Sequence, residues 1–385
     1  MATLPIPNRI ASILRPAGVG TLTAGAVVFS ILIVSACFAG PQITAAPSTT
    51  ETPPAPPTVP PTLETKGAST GETPAGEKPP TPAFDWQHVS LNGLDYLPIS
   101  QLKAFYKFPT LNTDDSANFF LRSNTMVIKG APGSNEIFIN NVRFFLKHPA
   151  LSSGDGPLVS RHDLSFMLDP VIRPSYIEGF GQVTTVVIDP GHGGYDSGAI
   201  GSHGKESTYT LDTAQRLQRQ LGERGIKSIL TRTDDSFLPM KERSAIAASE
   251  LDAILISLHF NSVSQTSTQG ITTYFPEEQT AQPGHPENPE SSTYSRACIS
   301  LATAVHASSL YKVRSTDGGV RSAKYTVISG QTKTPAILIE CGYLSHPGEA
   351  ARIAKDEYRQ TMAEAIASGV QNYIRARAKG AGISR

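Results

Sequence analysis

The chain has 385 residues, enough for two domains and at least one substantial core. Its 33 basic and 33 acidic residues cancel, and no basic stripe interleaved with aromatics is present, which argues against nucleic acid as a main partner.

The N-terminal 40 residues differ in kind from the rest. Arg9 and Arg15 precede an uncharged run from Pro16 to Pro47, centred on the apolar stretch Leu22 to Val34, which has the layout of an export signal. Val34-Ser35-Ala36-Cys37 resembles a bacterial lipobox, in which the cysteine is lipid-modified and becomes the mature N-terminus. Two other readings stand beside it: an uncleaved membrane helix, or ordinary cleavage at Ala36 or Ala39. Each places the body of the chain outside the cytoplasm, in the periplasm or cell envelope, with membrane contact only through this segment. If Cys37 carries lipid, Cys298 and Cys341 remain, and they are expected as reduced core thiols rather than a framework.

From Pro41 to about residue 83 the sequence is rich in Pro, Thr, Ala and Glu, too poor in large apolar side chains to offset the entropy of ordering, and is expected as a disordered tether. Residues 84–180 read as a small β-rich accessory domain. Glu136 to Leu146 predicts a hairpin turning at Asn140-Asn141, and Arg161 to Leu168 a short helix capped by Ser160. On the Asn-Asn-Val-Arg hairpin and Pro157 to Arg161, this stretch resembles small domains similar to an N-terminal domain of copper amine oxidases. His148 and His162 are read as ordinary surface residues, and no copper is inferred.

Residues 181–378 alternate strands and helices, which predicts an α/β fold with a mostly parallel twisted sheet and helices on both faces. Strands are expected at Val183 to Asp189, Ile226 to Thr231, Ala253 to Leu258, Gly270 to Phe275, Tyr325 to Ser329 and Ala336 to Glu340. Helices are expected at Ser207 to Arg224, Lys241 to Ser249, Ser292 to Leu310 and Glu357 to Arg375, the last with Tyr358, Met362, Ile366, Val370 and Tyr373 on one face. Pro276 to Glu290 reads as a polar insert, and residues 379–385 as a disordered tail.

Three of these strands deliver a chemically competent residue near the carboxyl end, where open α/β sheets bind ligands. His192 sits in the turn Pro190-Gly-His-Gly-Gly194, Glu206 lies at the start of the following helix, and His259 ends another strand. Two imidazoles and one carboxylate form a ligand set for catalytic Zn²⁺. Each has a plainer reading: a hydrogen-bonded histidine, or a carboxylate favoured by a helix N-terminus. Glu340 follows the apolar run Ala336 to Ile339, where an unpaired carboxylate is costly. A nearby cation is implied, unless Arg or backbone amides satisfy it.

Ile188-Asp-Pro-Gly-His-Gly-Gly194, Gly204-Lys-Glu206, Ser257-Leu-His-Phe-Asn-Ser262 and Pro335 to Ser345 together resemble the zinc-dependent N-acetylmuramoyl-L-alanine amidases, over about Val183 to Tyr373. The resemblance implies one Zn²⁺ held by His192, Glu206 and His259, with Glu340 catalytic. It also implies hydrolysis of the amide between the lactyl group of N-acetylmuramic acid and L-alanine in peptidoglycan, in wall remodelling or daughter-cell separation. A regulatory envelope protein is a possible partner for such an enzyme. The insert lacks a helical apolar period, so no helix plugging the site is expected there. His203 and His346 are expected to face solvent, and Asn261 to hold the site by hydrogen bonds.

Two rivals stand: an inactive peptidoglycan-binding protein, and a zinc peptidase cutting within the stem peptide. The complete set of four residues argues against the first. The lack of a His-Glu-x-x-His helix removes the commonest arrangement for the second.

Overall fold

The computed structural model describes residues 84–177, 182–277, 289–329 and 334–381. The signal region, the tether, and most of the insert (278–288) lie outside the described residues, as does the end of the expected tail, 382–385. Among the described residues no helix is long and apolar enough to cross a membrane.

Six strands carry the catalytic region: β1 (Thr185–Pro190), β2 (Lys227–Leu230), β3 (Ala253–Asn261), β4 (Ile271–Pro276), β5 (Asp317–Ala323) and β6 (Ala336–Tyr343). Their order across the sheet is β2-β1-β3-β6-β4-β5. All neighbours are parallel except β4, which runs antiparallel to β6. Every residue of β1 and β6 is buried, as expected of strands covered on both faces.

Helices α1 (Glu206–Gly222), α2 (Met240–Ser249), α3 (Pro289–Val313), α4 (Pro347–Ile353) and α5 (Asp356–Ala381) cover the sheet. The face of α5 foreseen from its spacing is buried throughout, Tyr358 to Tyr373. The helix runs on to Ala381, into the segment expected as a disordered tail. On α1 the buried stripe includes polar residues that find internal partners: Thr210 donates to the Gly191 carbonyl (2.8 Å) and Thr213 to that of Tyr209 (2.7 Å).

One strand was misplaced by the sequence. Thr326–Ser329 is a short helix, and the sheet position beside β4 belongs to β5, masked by Gly318 and Gly319. Those glycines answer to packing: at Gly319, φ is +89°, and a Cβ would stand 2.5 Å from the Phe145 ring.

Phe145 belongs to the β-rich region, whose five antiparallel strands from Thr110 to Phe145 extend the catalytic sheet. The junction is the parallel pairing of Val320 with Phe144, so one sheet of 11 strands crosses both regions. Asp317 reinforces it by accepting the Arg143 amide (2.8 Å) and facing the buried His306 Nε2 at 3.0 Å. The hairpin turns at Asn140 and Asn141, both with positive φ (51° and 65°), as a two-residue type I′ turn requires. Ser160 caps its helix through the Asp163 amide (2.9 Å), but the helix passes through a π-helical stretch, Leu164–Leu168, and continues to Ile172. His162 is not an ordinary surface residue: burial pushes its pKa down to about 4, with Lys147 adding to the effect.

Cys298 and Cys341 are both free and buried. Cys341 packs with Ile337 and Ile339, whereas Glu340, its neighbour, lines a cleft beside Leu338, as strand alternation demands.

Candidate active site

The site forms where β1, β3 and β6 lie side by side. His192 occupies the turn leaving β1, with φ +61°, a backbone conformation few side chains adopt. Two arginines hold that turn through its carbonyls. Arg232 donates to Pro190 (3.0 Å) and Gly191 (2.8 Å), and Arg243 donates to His192 (2.7 Å). Arg243 is itself fixed by buried Asp189 (2.8 Å), which also accepts from Thr231 (2.6 Å) and Ser257 (2.7 Å). A charge pair this deep is costly unless fully hydrogen-bonded, and here each partner is.

Glu206 is the first residue of α1, placed there by a small hairpin of Ile200–Gly201 with Gly204–Lys205. Its carboxylate accepts the Ala199 amide (2.8 Å) and the Phe260 amide (2.9 Å), and reaches His259 Nδ1 at 3.0 Å and His192 Nε2 at 3.2 Å. His259 lies on β3 in register with Glu340 on β6. The ligand-capable atoms of His192, Glu206 and His259 all lie within 4.8 Å of one another, the spacing of a group able to hold a metal ion.

Glycine makes room for this cluster. A Cβ at Gly191 would stand 2.4 Å from the His259 ring, and one at Gly198 (φ +63°) 2.6 Å from both Glu206 and His192.

The electrostatics fit a cation. Burial raises the Glu206 pKa, but hydrogen bonds from His192 and His259 outweigh it and hold the carboxyl well below the usual range. For His192, burial is overcome by Glu206 and Asp196, which raise its pKa to about 9. An environment that draws protons onto imidazoles also draws a metal in their place. Glu340 is the reverse case: burial pushes its carboxyl up to about 7, with His259 opposing and Glu206 reinforcing. Its Oε2 is buried and, among the described residues, has no hydrogen-bond partner. An orphaned carboxylate oxygen beside two histidines and a carboxylate fits a site built around a metal and a reacting molecule.

The structure thus brings together all four residues singled out from the sequence, in a cleft of about 540 Å³ also lined by Asn261, Tyr325 and Val327. Sequence reasoning missed Asp196, whose Oδ2 lies 2.9 Å from His192 Nδ1. A carboxylate there fixes the tautomer that leaves Nε2 free as a ligand. Its position four residues after His192 was the only available signal. Missed too were Asp189, Arg232 and Arg243. His203 is exposed, as expected. His346 is half-buried and caps α4, its Nδ1 accepting the Glu349 amide (3.1 Å).

Fold and site together define an α/β enzyme with a metal-competent triad and a carboxylate facing the same cleft. The profile of the N-acetylmuramoyl-L-alanine amidase family matches residues 186–372. The uncharacterized protein YqiI of Bacillus subtilis is 30% identical over 189 residues, 49% of this chain and 84% of YqiI. The N-acetylmuramoyl-L-alanine amidase LytC of the same organism is 29% identical over 222 residues, 58% of this chain but only 40% of LytC. Among solved structures, the N-acetylmuramoyl-L-alanine amidase from Clostridium difficile 630 is 31% identical, covering 51% of this chain and 98% of that one, with a TM-score of 0.43. The chain belongs to the N-acetylmuramoyl-L-alanine amidase family and is a cell-wall hydrolase of that class.

Proposed function

We propose that this enzyme uses one Zn²⁺, held by His192, Glu206 and His259, to hydrolyse the amide between the muramic acid lactyl group and L-alanine. The observation that carries the reading is the buried, unpartnered Oε2 of Glu340 in the cleft that holds the triad. When bound, the ion supplies Lewis acidity for the scissile carbonyl and makes water a competent nucleophile near neutral pH.

The chain's own residues do the rest. Glu340 accepts the proton of water as it attacks and returns it to the departing alanine nitrogen, the duty of a positioned carboxylate. Asp196 orients His192, and the Arg232 and Arg243 clamps keep the turn from relaxing. Leu338, Val327 and Tyr325 form the less polar wall against which the substrate lies.

The Arg9 to Cys37 segment and the Pro-rich tether support an exported enzyme reaching the wall from an anchor, lipid-linked at Cys37. Its role is wall remodelling or daughter-cell separation, under a regulatory envelope partner. Chelation tests the metal. Enzyme dialysed against a strong chelator is expected to lose essentially all wall-lytic activity, and one equivalent of zinc to restore it. Full activity in metal-free protein would contradict the proposal.

A further inference from the structure

A second cavity, of about 330 Å³, shares no lining residue with the cleft of the triad. Trp86, Phe105, Tyr106 and Phe166 give it an aromatic lining, with Trp86 and Phe105 at 4.9 Å and Phe105 and Tyr106 at 4.8 Å between ring centroids. Arg161, Arg173 and Arg296 line it as well, against a single carboxylate, Asp169. Arg296 comes from α3, so the cavity joins the β-rich region to the catalytic helices.

Part of this is a structural clamp. Asp169 accepts from Tyr106 (2.7 Å), Arg173 Nε (2.8 Å) and Arg296 Nη2 (2.6 Å), and the Arg173 guanidinium lies 4.8 Å from the Phe105 ring centroid. The clamp leaves three features unexplained. Arg161 is exposed and makes no ion pair among the described residues; Arg296 Nε is buried with no hydrogen-bond partner; and the aromatic lining encloses open space. Three guanidinium groups against one carboxylate leave the cavity positively charged. Flat apolar faces beside unfilled cationic donors suit a ligand with C–H faces and carboxylates.

The amidase reaction makes such a ligand. Hydrolysis adds water across the amide, leaving a carboxylate on each lactyl group and a free amine on the released alanine. We propose that this cavity binds the peptide-stripped glycan strand, with sugar faces packed on Trp86 and Phe105 and freed lactyl carboxylates paired with Arg161 and Arg296. The inference rests on the amide assigned above. Its consequence is that the enzyme stays on a strand it has begun to strip.

Calorimetric titration of the full chain tests it with three probes: soluble peptide-free glycan strands, neutral N-acetylglucosamine oligomers, and free stem peptide. The first is expected to bind, and the other two about tenfold more weakly or less well still. Arg161→Glu places an acidic residue at a helix N-terminus, where it is tolerated. It should weaken glycan binding about tenfold while turnover of a small soluble muropeptide stays at the parent rate. Trp86→Ala should weaken all saccharide binding. No binding by the parent protein, equal affinity for the three probes, or an Arg161→Glu variant as tight as the parent would overturn the proposal. Correct amidase products without glycan binding would sink this inference alone. Glycan binding with shortened stem peptides would sink the amide assignment instead.

Discussion

Glu340→Gln is expected to lower kcat by about 10²–10⁴-fold, the usual contribution of a positioned acid–base group, with KM and metal content little changed. The substitution keeps shape and volume and removes only the ability to carry a proton. Because Glu340 Oε2 is buried without a partner, the native carboxylate contributes little to stability there. The variant should therefore melt at or above the parent temperature. A charge retained for folding would show the opposite pattern, a lowered melting temperature with catalysis intact. Steady-state kinetics, metal analysis and a thermal scan on one preparation separate the two.

His259→Ala is the second large effect, and it differs in kind. Its imidazole is one of three groups whose ligand atoms lie within 4.8 Å, and it faces Glu206 at 3.0 Å. Removing it should release the metal and the activity together. The loss of metal affinity should exceed the roughly 10–100-fold that loss of an outer-shell partner costs. Glu206 is left buried with one imidazole fewer, so a lower melting temperature is expected as well. Undiminished zinc in purified His259→Ala protein would mean that the third ligand lies elsewhere.

Much of the catalytic region was legible in the sequence because its strands are continuous apolar runs and its last helix keeps a clean buried face. The four site residues were legible because each follows such a run or opens a helix. What was not legible depends on contacts distant in sequence. β5 hid behind Gly318, which lets the neighbouring strand approach at Ile271 and Thr272, and Gly319, which admits Phe145 from the β-rich region; the sheet's passage across both regions rests on one pairing, Val320 with Phe144. His346 looked free because its partner, the Glu349 amide, is unsatisfied only once α4 forms. The clamp of Asp189, Arg232 and Arg243 acts largely on backbone carbonyls, and a carbonyl leaves no mark in a sequence.

The central claim is the bond that is cut, and product analysis of digested peptidoglycan tests it most directly. Mass spectrometry of purified wall treated with the enzyme should show intact stem peptides with free N-terminal alanine and glycan strands carrying lactyl carboxylates, with neither product formed in the presence of chelator. Shortened stem peptides still attached to muramic acid would contradict the account.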